Sequence, residues 1–156
     1  MKILVIDGQG GSLGNSIISK LIDERIDAEI IAIGTNSLAT QNMLKGHNIQ
    51  GATGENPIVV NAEDADIIIG PIGLLAANSL LGEITEKMSL AISKSKALKL
   101  LIPYNKCKIV VAGVKEDKFS NYINEVIEYI KKIGYLRWPL KVGLNNLIVI
   151  EIRTVV

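Results

Sequence analysis

The sequence has few of the residues that build disulfides, zinc sites and base-stacking surfaces. It contains one cysteine, Cys107, and one histidine, His47, and only 4% of its residues are aromatic. A single cysteine cannot form an internal disulfide, and the lone histidine belongs to neither a zinc-ligand spacing nor a Ser-His-Asp set. We therefore expect a cytoplasmic protein, kept in a reducing compartment and without a zinc site.

Long apolar runs are also missing. The longest uncharged stretch lies between Asp66 and Glu83, is interrupted by glycine and proline, and is shorter than the roughly 20 residues that cross a bilayer. We expect no transmembrane helix and no membrane partner.

The formal net charge is only +1, but it is unevenly distributed. Residues 1–84 hold 4 basic and 10 acidic side chains, whereas residues 85–156 hold 13 basic and 6 acidic ones. A basic half can bind an acidic partner, yet few aromatics accompany its lysines for base stacking. We interpret the lysines as a solvated surface and do not expect a nucleic-acid ligand.

What the sequence does contain is an alternation of strands and helices. Apolar runs predict strands, and apolar residues at helical spacing after capping residues predict helices. Asn36 and Thr85 are expected to cap two helices, and Ser120 a third that ends before Gly134. The predicted strands are 3–6, 29–33, 48–52, 66–70, 98–102 and 109–114, and the clearest helices are 13–22, 37–45, 85–95 and 120–132.

The stretch between the third and fourth strands permits two assignments. Asn56 followed by Pro57 is typical of a helix start, whereas the β-branched run 58–60 favours a strand. We prefer a helix because it preserves the alternation that a parallel sheet requires. The predicted fold class is then α/β, a doubly wound, mostly parallel Rossmann-like sheet with helices on both faces.

We assign residues 1–133 to this Rossmann-like nucleotide-binding domain. Residues 134–156 are predicted to be a connector and a β-rich tail of the same domain, with apolar residues alternating from Leu147 onward. Such a tail can pair as an edge strand within its own sheet or extend the sheet of a second subunit.

The first loop holds the leading binding motif. Its glycines follow a strand and open a helix, where backbone N–H groups bind phosphate and no Cβ obstructs the approach. The spacing is G-x-x-G-x-x-G, and the alternative interpretation is a tight turn with close helix packing. We predict nucleotide contacts from the whole loop: Gly8, Gln9, Gly10, Gly11, Ser12, Leu13 and Gly14.

Three further loops follow the carboxyl ends of the next strands, where doubly wound sheets bind ligands. No acidic residue ends the second strand to accept a ribose hydroxyl, and no arginine is adjacent to meet a 2′-phosphate, so the choice between NAD and NADP stays open. The expected ligand contacts here are Thr35 and Asn36 for the ribose, and Thr53, Gly54, Gly70, Pro71 and Gly73 for the adenine side and the opposite wall.

Asp7 stands directly before the glycine loop, where a carboxylate repels phosphate unless it binds a cation or accepts N–H groups of the loop. Two hypotheses follow: a loop-capping Asp7, or a Mg²⁺ ion held by Asp7 with Glu55 and Glu83 as further oxygen ligands. If the protein is an enzyme, the candidate catalytic residues at this edge are Asp7, Glu83, Tyr104 and Asn105.

The glycine spacing resembles the fingerprint of extended and atypical short-chain dehydrogenases, in which this stretch wraps a dinucleotide pyrophosphate. The resemblance implies that role for Gly8, Gly11 and Gly14 only. A second resemblance, to a bacterial family of small proteins known only as a domain of unknown function, implies a stand-alone cytoplasmic domain and supplies no activity. It covers about residues 1–132 and rests on segments 6–11, 34–36, 51–56, 65–73 and 78–85.

These observations predict a nucleotide-binding domain, with NAD(P) as the expected ligand and an unknown small-molecule substrate if it is an enzyme. The alternative is a non-catalytic nucleotide sensor or adaptor that presents its basic half or its C-terminal strand to a partner. A small enzyme would need a second domain or a homodimer to close its site, so the oligomeric state discriminates between the two.

Overall fold

A computed structural model describes residues 1–103, 109–115 and 117–137 of the 156-residue chain, with the backbone alone at 135–137. The first five predicted strands form β1 (Lys2–Asp7), β2 (Glu29–Gly34), β3 (Gln50–Thr53), β4 (Ile67–Pro71) and β5 (Leu98–Ile102). All pair in parallel, in the order β3-β2-β1-β4-β5. The predicted α/β, doubly wound class is confirmed.

Helices cover both faces of this sheet. One face carries α1 (Ser12–Asp23), α2 (Ser37–Leu44) and α6 (Phe119–Arg137), and the other carries α3 (Glu55–Asn61) and α5 (Glu86–Lys94). Between β4 and α5 lie a 3₁₀ turn (Ile72–Leu75) and the single turn α4 (Ser79–Gly82). None of the helices in the described part of the chain is long and apolar enough to cross a membrane.

The central strand β1 contributes to both hydrophobic cores. Ile3 and Val5 pack under α1 and α6, whereas Leu4 and Ile6 pack under α3 and α5. All four side chains are fully buried, because successive residues of a strand point to opposite faces. Burial of each stabilises the fold by about 1.5–3 kcal/mol. This packing fixes β1 as the centre of the sheet and holds Asp7 at its carboxyl end.

The strand order reverses beside β1. After β3 the chain crosses to the other side of β1 and continues with β4 and β5. The segments that follow β1 and β4 therefore leave neighbouring strands toward opposite faces of the sheet. Such a reversal opens a crevice at the carboxyl ends of the strands, where doubly wound folds bind ligands.

Several local predictions are confirmed. Asn36 Oδ1 accepts a hydrogen bond from the Ala39 N–H at 2.9 Å and caps α2. Thr85 Oγ1 accepts one from the Met88 N–H at 3.1 Å and caps α5. The preferred helical assignment after β3 is correct, although α3 begins at Glu55, ahead of the predicted start.

Three expectations for the second half are wrong: a strand at 109–114, a helix end before Gly134, and a cap at Ser120, which lies inside α6 because the helix already begins at Phe119. The described residues 109–115 contain no strand, and Val110 is 90% exposed, so this apolar run lacks the burial that a strand needs. Helix α6 continues through Gly134 to Arg137. An interior glycine costs only about 1 kcal/mol, which the buried face of α6 outweighs. The predicted tail strand lies outside the described residues.

Candidate functional site

The glycine loop, the loop after β2 and the segment after β4 meet above the carboxyl end of β1. Oε2 of Glu83 accepts hydrogen bonds there from the Gln9 backbone N–H at 2.8 Å, the Thr35 hydroxyl at 2.5 Å and the Asn36 side-chain amide at 3.2 Å. Thr35 and Asn36 follow β2 at the predicted edge. Three donors from two loops thus hold one carboxylate oxygen.

Gly8 forms the floor beneath this oxygen. A Cβ placed on Gly8 would lie 2.6 Å from Glu83 Oε2, 2.8 Å from Thr35 Oγ1 and 2.9 Å from Leu80 Cδ1. The close approach depends on the absence of a side chain at residue 8. The anion that lies against this glycine is a carboxylate of the chain itself.

Glu83 belongs to a flap, defined here as residues 76–84, that lies over the glycine loop. Within the flap, the side chain of Leu80 is buried, whereas that of Leu81 is 96% exposed. A left-handed backbone costs a non-glycine residue about 1–2 kcal/mol, so the flap holds its shape against that cost. Its left-handed residues are Asn78 at φ +63°, Leu80 at +53°, Leu81 at +61° and Gly82 at +89°.

Asp7 caps the glycine loop, one of the two roles that the sequence left open. Its carboxylate is buried; Oδ1 accepts from the Gly8 N–H at 2.8 Å, and Oδ2 accepts from the Gly14 N–H at 2.7 Å. Burial raises the pKa of Asp7 and the charge of Glu83 adds to the rise, while hydrogen bonds from Gly14, Gly8 and Leu13 oppose it. Both oxygens are therefore engaged with the backbone of the loop.

The hypothetical Mg²⁺ site is not assembled. Within residues 1–103, 109–115 and 117–137, no three His, Cys, Asp or Glu side chains lie close enough together to hold a metal ion. Glu55 instead accepts a hydrogen bond from the Thr85 hydroxyl at 2.6 Å and lies 3.5 Å from Lys87 Nζ. The Thr85 hydrogen bond lowers the pKa of Glu55. The predicted ligand set is divided because Glu55 fastens α3 to α5.

Two other glycines of the motif are required by packing. Gly11 has a φ of +66°, and a Cβ there would lie 2.7 Å from Ala39 Cα. A Cβ on Gly14 would lie 2.7 Å from Met43 Cγ. Close contact between α1 and α2 thus explains why both residues are glycine. This agrees with the alternative interpretation of the motif, a tight turn with close helix packing. Of the other loop residues, Gly10 and Ser12 are exposed and Leu13 is buried in the core.

The predicted residues after β3 and β4 contact neighbouring elements. The Thr53 hydroxyl shares a 2.7 Å hydrogen bond with the Thr40 hydroxyl, and the Gly54 N–H donates to the Gly34 carbonyl at 2.8 Å. Gly70, Pro71 and Gly73 are buried where β4 passes into the 3₁₀ turn. Tyr104 and Asn105 lie outside the described residues.

Sequence reasoning named Glu83 as an acid or base and missed its contact with the glycine loop. It also missed Asn42, whose side-chain amide donates to the Gly10 carbonyl at 2.8 Å and positions the loop from α2. The only signal for the flap was the pair Asn78 and Gly82, since both residue types tolerate left-handed backbone. That signal indicates a turn and carries no information about its partner.

Comparisons with known proteins give a family and a distant likeness. The dodecameric FMN-dependent UbiX-like decarboxylase from Escherichia coli O157:H7 is similar over 94% of this chain and 100% of that chain, with 12% identity and a TM-score of 0.38. At that level the likeness carries no inference about the cofactor of this chain. No curated protein matches the sequence. Residues 2–134 match the family described as "Domain of unknown function (DUF3842)", and the chain belongs to that family.

Proposed function

We propose that this protein binds a nucleotide at the carboxyl edge of its sheet, with NAD(P) as the leading ligand, and that a phosphate takes the position of the Glu83 carboxylate. One observation carries the proposal: the Gln9 N–H, the Thr35 hydroxyl and the Asn36 amide converge on a single anionic oxygen. Donors fixed in this way suit a phosphate oxygen as well as a carboxylate oxygen.

The exposed side of the glycine loop offers room for a second phosphate. Gly10 and Ser12 are both exposed, and a Cβ on Gly10 would meet no atom within 4 Å. Helix α1 begins at Ser12, so its N-terminal dipole favours an anion beside these amides. Asp7 already occupies the Gly14 N–H, and we therefore expect the second phosphate to depend on the amides of Gly10 and Ser12.

A thermal-shift panel of NAD, NADP, ATP and GTP, each with and without Mg²⁺, tests the proposal. A nucleotide at 100 times its Kd stabilises the folded state by about 2.7 kcal/mol, which raises Tm measurably. A shift with NAD or NADP supports the leading ligand, and a shift with ATP or GTP alone reassigns it. If no nucleotide shifts Tm under either condition, the proposed function is wrong.

Two nearly isosteric variants and their control, each made in a Glu83→Ala background where no Glu83 carboxylate competes for the same donors, test the position of the phosphate. Thr35→Val removes the hydroxyl donor, and Asn36→Asp removes the amide donor while leaving an oxygen to cap α2. Each is expected to weaken nucleotide binding about tenfold, since a hydrogen bond to a charged group contributes about 1.5–3 kcal/mol. Thr53→Val is the matched control, because its hydroxyl bonds Thr40 instead. Equal affinities in Thr35→Val and Thr53→Val would place the phosphate elsewhere.

The second candidate is a non-catalytic nucleotide sensor. It is favoured because both carboxylates proposed for acid–base chemistry, Asp7 and Glu83, are bound to the glycine loop in this structure. Chromatography of NAD and ATP after prolonged incubation, with the mass of the protein measured by light scattering, separates the two functions. Intact nucleotide on a monomer supports the sensor, whereas conversion of nucleotide, or a dimer that covers the loops, supports an enzyme.

A further inference from the structure

We infer that the flap, residues 76–84, is a lid that competes with the ligand for the glycine loop. In the closed position Glu83 occupies the anion site, and a nucleotide phosphate binds only when the lid releases it. The inference rests on the proposed function and adds how access to that site is regulated.

The first argument is occupancy. The Gln9 N–H, the Thr35 hydroxyl and the Asn36 amide all bond to the same Oε2 atom of Glu83. Leu80 fills the adjoining space above Gly8, within 2.9 Å of where a Cβ would lie. A phosphate oxygen and the closed flap therefore require the same donors and the same volume. Binding at this position exchanges one anion for the other.

The second argument is the energy stored in the closed flap. Leu80 and Leu81 both have positive φ, and the left-handed backbone at each residue destabilises the closed flap. Leu81 recovers none of that cost by burial, since its side chain is 96% exposed. The closed position is held by the carboxylate of Glu83, by the buried side chain of Leu80 and by the hydrogen bond from the Ser79 hydroxyl to the Gly73 carbonyl at 2.6 Å. Loss of the Glu83 contacts to a ligand removes the restraint that ties the flap to the glycine loop.

The third argument is that firm structure bounds the flap on both sides. Leu74, in the 3₁₀ turn before it, is fully buried, and Ile84, the last residue of the flap, is buried in the core beside α5 and anchors that end. The next residue, Thr85, caps α5 through the Met88 N–H. The flap can therefore lift between two fixed points without disturbing the sheet or α5.

Two variants should shift the equilibrium between the closed and the open lid in opposite directions. Glu83→Gln weakens the closed position because a neutral amide oxygen accepts these hydrogen bonds less strongly than a carboxylate. Leu81→Asn strengthens it because asparagine tolerates left-handed backbone at an exposed site. The controls are Glu86→Gln, an exposed carboxylate in α5, and Leu90→Asn, an exposed leucine in the same right-handed helix.

The test is isothermal titration of each protein with NAD and with inorganic phosphate, together with hydrogen exchange at the Gln9 amide. Glu83→Gln is expected to bind at least about threefold more tightly and Leu81→Asn at least about threefold more weakly, because apparent affinity scales with the open fraction. The Gln9 amide should exchange faster in Glu83→Gln and more slowly in Leu81→Asn. Both controls should match the wild type.

The possible results separate the lid from the binding function. If the wild type binds but Leu81→Asn binds equally well, the tighter binding of Glu83→Gln reflects charge alone and the lid is overturned. If Glu83→Gln binds more weakly, its carboxylate contacts the ligand directly, and the lid is again overturned. If no protein in the series binds either probe, the proposed function fails and the lid fails with it.

Discussion

The two ends of α1 are each held by a carboxylate, and the two carboxylates are opposite in character. At the first end the buried Asp7 accepts backbone N–H groups, and burial raises its pKa. At the last end Glu24 lies near solvent, 2.8 Å from Lys131 and 2.7 Å from Lys20. Hydrogen bonds from Lys131 and then Lys20 lower the pKa of Glu24 to about 2.

The difference separates a rigid end of α1 from a tolerant one. Asp7 is desolvated and fixes the backbone of the glycine loop, at an electrostatic cost to folding. Glu24 fastens α6 to α1 through ion pairs that water and salt screen. Fixed geometry at one end and tolerant attachment at the other predict very different responses to substitution.

The largest effect is expected at the buried end. Asp7→Ala leaves the N–H groups of Gly8 and Gly14 without their acceptor and should reduce the free energy of unfolding by about 2–4 kcal/mol. Urea denaturation at pH 7 measures the loss. Asp7→Asn, which keeps one acceptor oxygen, should lose less. A loss in Asp7→Ala no greater than that in Glu24→Gln would contradict the comparison.

The next effect concerns the turn that Asp7 stabilises. Gly11→Ala places a Cβ against the Ala39 backbone at positive φ and should cost about 2–3 kcal/mol, from left-handed strain and overpacking together. Gly10→Ala is the matched control, since nothing lies within 4 Å of its Cβ position. Thermal unfolding of both variants measures the difference, and equal Tm values would refute it.

A smaller effect of the opposite sign is expected in the flap. Leu81→Asn relieves left-handed strain at an exposed residue and should stabilise the protein by about 1 kcal/mol. Differential scanning calorimetry measures the rise in Tm. A fall in Tm would show that the Leu81 side chain stabilises the folded state by more than its left-handed backbone destabilises it.

The smallest effect on stability at neutral pH is expected from Glu24, at the exposed end of α1. The pH dependence of that effect distinguishes Glu24 from Asp7. The lowered pKa of Glu24 means that its stabilisation is present above 4.5, its ordinary value, and is lost as pH falls toward about 2. The difference in stability between wild type and Glu24→Gln should therefore shrink in acid. Urea denaturation between pH 7 and pH 2.5 measures it.

Asp7 should respond to acid with the opposite sign. Its raised pKa means that the ionised form opposes folding at neutral pH, and that this penalty disappears as pH falls toward 3.8, its ordinary value. Asp7→Asn has no such penalty at any pH, so the stability of the wild type should rise relative to that variant as pH is lowered from 7 to 4. The same denaturation series measures both ends, and parallel trends would show that the two carboxylates are alike.

Local sequence patterns predicted the parts of the fold that local physics determines. The continuous apolar run of β1 and the caps at Asn36 and Thr85 follow from residues within one turn or one strand of each other. The run 109–114 shows the limit of that reasoning, because a β-branched run becomes a strand only where a neighbour pairs with it. Gly134 shows the same limit for helices, since tertiary contacts of α6 override its propensity.

The sequence predicted at which edge of the sheet the candidate site lies, but not which side chains meet there. The strand order placed the glycine loop and Thr35 together, because parallel strands end at one edge. The contact from Glu83 depends on a left-handed segment whose path no short-range pattern specifies. The sequence left two roles for Asp7, capping the loop or binding Mg²⁺, because a carboxylate before a glycine loop suits either. Only the positions of the backbone N–H groups in the folded loop distinguish them.

The hydrogen bond between Gln9 and Glu83 joins residues 74 positions apart in the chain. Closing a loop of that length costs more entropy than one hydrogen bond offsets. We therefore expect this bond to form after β1 has paired with β4. During synthesis, the glycine loop leaves the ribosome well before its carboxylate partner has been translated. In the nascent protein the Gln9 N–H, the Thr35 hydroxyl and the Asn36 amide are therefore translated before the carboxylate that accepts their hydrogen bonds, and this contact is among the last that the sheet edge acquires.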